Sequence, residues 1–169
     1  MIDRQYPIGK FELGKTYTFA ETQQHISIIQ SLPQKLRETT APFTIKEWAT
    51  PYREDGWTAL QVVHHLADSH MNALIRIKLA LTEENPAIRP YQEDKWAILP
   101  DMTLPAEVSL QLLEALHLRW VTLLQALQVS DFAKTYFHPE SKHVFTIAEG
   151  TAMYAWHSEH HLAHVKLVV

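Results

Sequence analysis

The stretch GWTALQVVHHLADSHMNALIRIKLALTEENP constrains the fold more than any other part of the chain. Thr58 followed by Gln61 has the form of a helix N-terminal capping box, in which each side chain satisfies the other residue's backbone N–H. Val62, Leu66, Ala73, Ile77 and Leu81 then repeat at helical spacing, with no glycine or proline before Pro86. One long helix is expected over roughly residues 58–83. A helix with one apolar face must bury it against partners, so the rest of the chain is read for them.

Three partners are present. Glu21 to Thr39 carries Ile26, Ile29, Leu32 and Leu36 on one face, with Pro33 expected to kink or restart the element. A helix from about 105 to 128 follows Pro105, with Leu112, Leu116, Trp120, Leu123 and Leu127 as its stripe. Thr146 with Glu149 gives a second capping box and opens the last helix. Residues 84–102 hold three prolines and two aromatics and read as an ordered loop packed across one end. The segment KTYFHPESKHVFT can form a small hairpin around PESK. The expected fold class is all-α, a four-helix bundle formed by one domain over residues 1–169.

Composition removes several classes of function. Only 4 glycines occur, and none form a phosphate-binding turn. The 15 Lys and Arg residues against 19 Asp and Glu, net charge -4, are scattered, which argues against nucleic acid as a partner. The start, MIDRQYPIGKF, lacks the basic flank and apolar run of a secretory signal, and no 18-residue apolar stretch follows, so no membrane and a cytoplasmic location are expected. The apolar residues of LQLLEALHLRWVTLLQAL exceed a single stripe and suggest a homodimer.

No cysteine is present, which excludes disulfides, protein thiolates and Cys-ligated metals, and leaves 11 histidines as the informative residues. Four of them fall in WHSEHHLAHV. His157 and His161 are four apart, as are His160 and His164, so each pair can meet across one helical turn. A stripe through Ile147, Gly150, Tyr154, His157, His161 and Val168 turns the first pair inward. The stripe Met153, Trp156, His160, Ala163 and Leu167 is also mostly apolar, so spacing leaves the second pair open. Neither pair has the Glu of the zinc-protease HExxH pattern. A catalytic zinc needs a third protein ligand, and VVHHLADSH offers His64 or His65, of which only one can face inward.

The stretches YPIGKF, PYREDGWTALQVVHHLADSHMN, LTEENPAIRPYQEDKWA and YAWHSEHHLAHV resemble the YfiT branch of the DinB/YfiT superfamily, from about Tyr6 to near the last residue. The resemblance implies a four-helix bundle holding one divalent ion, zinc or alternatively nickel, on three histidines. Matched onto this chain they are His65, His157 and His161. It departs where many superfamily members follow the last histidine with Arg-Gly-Gln, since here Leu162, Ala163 and His164 follow. His164 is then a candidate support for a ligand.

Three neutral imidazoles leave the ion its full charge and an open position, where a water can reach a pKa near ~7. The resemblance implies a metal-dependent hydrolase of a small-molecule substrate. A second reading is transfer of a low-molecular-weight thiol of the bacillithiol type, and a third is a bundle that the metal only ties together. Asp68 and His160 are the candidate proton handlers, with His64 and Glu159 behind them. Arg89 and Trp96, beside Tyr91 in NPAIRPYQEDKW, are candidates to hold an anionic substrate.

Overall fold

Four long helices carry the architecture of the computed structural model, which describes residues 3–168. In chain order they are α1 (Phe19–Thr40), α3 (Ala59–Thr82), α5 (Ala106–Gln125) and α6 (Ile147–Lys166). Short helices α2 (Ile45–Ala49) and α4 (Glu93–Trp96) and two 3-10 turns, Pro100–Thr103 and Val129–Ala133, lie between them. Helices α1 and α3 each pack on both α5 and α6, which makes a square bundle with α1 and α3 on one diagonal.

Local chemistry sets the helix starts. The Thr58–Gln61 box forms with both hydrogen bonds, at 3.2 and 3.0 Å, and α3 starts one residue later. An equivalent box, Thr18 with Glu21, starts α1 ahead of its apolar stripe. Helix α1 then runs through Pro33 as one 22-residue element. At α6 the expected box is half made. Thr146 accepts from the Glu149 N–H at 3.0 Å, but the Glu149 carboxylate turns to His143 Nε2 at 2.9 Å and to the Gly14 N–H at 2.7 Å. It is 4 % exposed and ties the N-terminal arm and the hairpin to the start of α6.

The hairpin consists of β1 (Thr135–His138) and β2 (His143–Thr146), antiparallel with Thr135 opposite Thr146, and its turn is PESK. The 84–102 loop is pinned to it. Phe137 donates to the Pro86 carbonyl, and its own carbonyl accepts from Ile88, each at 2.9 Å. Further along, Gln61 Nε2 donates to Ala97 O at 2.9 Å.

Helix α5 keeps its expected stripe at Leu116 and Trp120, which are buried, and in part at Leu123 and Leu127, which pack half-buried against the core, but not at Leu112. Its buried face runs through Ala106, Leu110, Leu113, His117, Trp120 and Leu124, while Leu112 is exposed together with Val108 and Leu118. Leucines outnumber one face of this helix, so spacing alone did not fix which of them turn inward. The apolar core falls into two clusters. One gathers around Ile29, Ile77, Trp120, Tyr136 and Ile147, the other around Leu36, Val62, Leu66, Leu113 and Leu162. His70 on α3 and His160 and His161 on α6 come between these clusters in the chain, while His64, His65 and His164 are set among residues of the second.

Candidate metal centre

His65 on α3 and His157 and His161 on α6 bring one ring nitrogen each to within 4.8 Å of one another. His65 Nε2 and His157 Nε2 are 3.2 Å apart, and the His157 and His161 rings are 4.4 Å apart as the four-residue spacing requires. No fourth His, Asp or Glu joins this group among the described residues. His64, the alternative on α3, points elsewhere. Its Nε2 donates to Leu104 O at 3.0 Å and its Nδ1 accepts from Ser109 Oγ at 2.6 Å, which uses both nitrogens.

A second group, His160, His161 and His164, also gathers within 4.8 Å and shares His161. A neutral imidazole has one lone pair, so His161 can serve one centre only. Its partner decides which. His164 Nε2 lies 3.2 Å from Gln5 O, and a carbonyl only accepts, so Nε2 holds the His164 proton. His164 Nδ1 is then an acceptor, for which His161 Nδ1 at 3.3 Å supplies the proton. His161 Nε2 is left with the lone pair. His157 is placed likewise, its Nδ1 engaged by His70 Nε2 at 3.1 Å and its Nε2 turned to His65.

Electrostatics keep these rings neutral. Burial, then the neighbouring His160 and His164, brings His65 down to about 4. Burial holds His157 and His161 well below the usual 6.5, and the surrounding histidines add to it. Neutral imidazoles with converging lone pairs fit a divalent cation, and an all-nitrogen set suits zinc or nickel.

One of the three histidines reaches a cavity. His157 lines a cavity of about 520 Å³ whose wall includes Ser69, Arg76, Tyr91, Glu93 and Tyr154. Arg76 is 7 % exposed. Its Nη1 donates to Tyr154 Oη at 2.9 Å, its Nε has no partner, and no carboxylate pairs with it among the described residues. Glu93 is held above the usual carboxylate range by burial and by Asp94 and Glu140. Trp57 covers His65, ring to ring at 4.7 Å.

The remaining residues singled out from sequence lie away from this cavity. Asp68 is half-buried outside its lining, its carboxyl raised to about 6 by burial and then by Asp101. His160 stacks on Trp156 at 4.5 Å under the N-terminal arm, brought down to about 4 by burial and then His164. Arg89 is exposed on the loop, and Trp96 packs on Tyr91 at 4.5 Å, one layer behind the wall. Sequence reasoning missed Arg76, His70 and His117. Each makes its contacts with residues far away in the chain, and no local pattern marks it.

This chain belongs to the DinB superfamily, whose profile matches residues 28–165. It is 49 % identical over 165 residues to a Bacillus cereus protein provisionally named a metal-dependent hydrolase, with 98 % of this chain and 95 % of the relative covered. An Oceanobacillus iheyensis protein of the same provisional name is 48 % identical over 164 residues, covering 97 % and 95 %. Among solved structures, YfiT from Bacillus subtilis superposes with a TM-score of 0.95 at 42 % identity, covering 99 % of this chain and 96 % of YfiT. YfiT is described, again provisionally, as a metal-dependent hydrolase with an unusual four-helix bundle topology. No helix among the described residues is long and apolar enough to cross a membrane.

Proposed function

We propose that the protein is a metal-dependent hydrolase of small substrates that carry a carboxylate, with one zinc ion held by His65, His157 and His161 and nickel as the alternative. The observation that carries this reading is the convergence of three neutral imidazoles, with no fourth protein ligand among the described residues, beside a cavity of substrate size. A closed structural site would have four. A divalent ion bound there supplies Lewis acidity, which acidifies a water and polarises a carbonyl.

The chain's own residues supply recognition and proton handling. The Arg76 guanidinium, buried without a carboxylate partner, has a planar edge suited to a substrate carboxylate, and Tyr154 fixes its orientation through Nη1. Trp57 shields His65 from bulk water. Glu93 stands on the cavity wall with its ionisation moved toward neutrality, which suits a group that takes and returns a proton.

The test is elemental analysis of the purified protein, zinc affinity of His157→Ala and His160→Ala, and turnover of carboxylate-bearing esters and amides. One zinc per chain, lost in His157→Ala and kept in His160→Ala, with ester or amide turnover, is the expected result. Tight zinc binding kept in His157→Ala and lost in His160→Ala would overturn the ligand set. Turnover only when a low-molecular-weight thiol and an electrophile are supplied would replace hydrolysis by thiol transfer.

A further inference from the structure

Five buried imidazoles lie outside the proposed centre: His64, His70, His117, His160 and His164. His70 on α3 is 0 % exposed and His117 on α5 is 2 % exposed, so neither can turn to water for a partner. They are joined in one chain of contacts that runs to a metal ligand. His117 Nδ1 lies 2.7 Å from Ile29 O, His117 Nε2 lies 2.8 Å from His70 Nδ1, and His70 Nε2 lies 3.1 Å from His157 Nδ1.

The starting point follows from a proline. Pro33 has no N–H, so the Ile29 carbonyl, four residues earlier in α1, has no helical donor. His117 supplies the missing proton. A carbonyl only accepts, so His117 carries its hydrogen on Nδ1 and, being neutral, has its lone pair on Nε2. That lone pair requires a donor at His70 Nδ1, which leaves His70 Nε2 as an acceptor. His157 must then donate from Nδ1, and its lone pair is fixed on Nε2, 3.2 Å from His65 Nε2. One assignment of the three protons satisfies every contact, and each long helix contributes one link: α1, α5, α3 and α6.

We propose that His70 and His117 are positioning residues for the metal centre, a relay anchored at the carbonyl that Pro33 leaves free, which sets the tautomer and ring plane of His157 and so presents its Nε2 as a ligand. The inference rests on the three-histidine metal reading for its function, while the tautomer pattern itself needs no metal. Ligand histidines are commonly oriented by a group on their other nitrogen, usually a carboxylate or a backbone carbonyl. Here the carbonyl acts from a distance through two neutral rings, which adds no negative charge beside the ion.

The test combines imidazole 15N NMR of the full chain, with and without zinc, and zinc affinity of variants. In the wild type His117, His70 and His157 are expected to carry hydrogen on Nδ1 and none on Nε2. His70→Leu should weaken zinc binding by about 10- to 100-fold and release His157 from that tautomer. His70→Gln, whose amide offers an acceptor and a donor, should recover most of the affinity. A purely structural role would lower thermal stability in His70→Leu while leaving zinc affinity within twofold, and that result would overturn the proposal. If His70→Leu does not fold, the wild-type spectrum decides: a His157 hydrogen on Nε2 in zinc-free protein overturns it. A wild type with the expected tautomers that takes up no zinc overturns the metal reading and, with it, the positioning role.

Discussion

Replacing Arg76 with methionine should make the protein more stable and less able to hold its substrate. Arg76 is 7 % exposed as a residue, with one protein hydrogen bond to Tyr154 Oη, an Nε–H sealed from water without an acceptor, and no carboxylate partner among the described residues. An unmet buried donor costs about 1–3 kcal/mol, and burial of the charge adds to that. Methionine keeps most of the alkyl volume and removes both penalties, at the loss of the Tyr154 hydrogen bond, about 1 kcal/mol. The net gain is about 1–2 kcal/mol, which for a chain of this length is roughly 2–8 °C in Tm. A charge-assisted hydrogen bond to a carboxylate contributes about 1.5–3 kcal/mol, so KM for carboxylate-bearing substrates should rise on the order of 10- to 100-fold. Scanning calorimetry and steady-state kinetics of zinc-loaded Arg76→Met check both. A lower Tm with unchanged KM would refute the reasoning and make Arg76 a structural residue.

Two further outcomes are expected. His117 and His65, each brought to about 4 chiefly by burial, bind fewer protons folded than unfolded between about 4 and 6.5. Stability of the zinc-free chain is therefore fully present above about 6.5 and is lost as pH falls through that window, by on the order of 3 kcal/mol per ring. Urea titrations that give the same stability at pH 7.5 and 5 would contradict this. Gly150→Ala should destabilise by about 1–3 kcal/mol, because its new Cβ would meet buried Tyr136 Oη at 2.7 Å, outweighing the helix-propensity gain. Adding Tyr136→Phe should recover part of the loss in thermal melts, and full additivity of the two changes would speak against the clash.

Much of the bundle was legible because its helices announce themselves locally. The Thr58–Gln61 box, the stripe through Leu66 and Ile77, and the PESK turn are short-range chemistry, and each formed where the sequence placed it. The face of α6 was not legible from spacing. The bundle buries His161 and partly buries His157, while the N-terminal arm covers the opposite side through Trp156 Nε1 to Gly9 O and His164 Nε2 to Gln5 O. Two covered faces give two apolar stripes; periodicity favours the His157–His161 pair only weakly, and the family resemblance points to the same pair. By sequence rules Pro33 kinks or restarts its element, yet α1 runs on through it as one helix, and the carbonyl it leaves without a donor is used by another helix. Contacts such as Ile29 to His117 or Arg76 to Tyr154 join residues 88 and 78 positions apart, and no local pattern encodes them.

The Gln5 carbonyl that orients His164 lies 159 residues ahead of it in the chain, and His157 and His161 share α6 with His164. Synthesis proceeds from the N-terminus, so a growing chain holds one of the three ring nitrogens from α3 onward and gains the other two only as α6 is made. The arm must wait for that helix before it can dock. On the proposed ligand set, the three-nitrogen site is therefore complete only in molecules translated through His161.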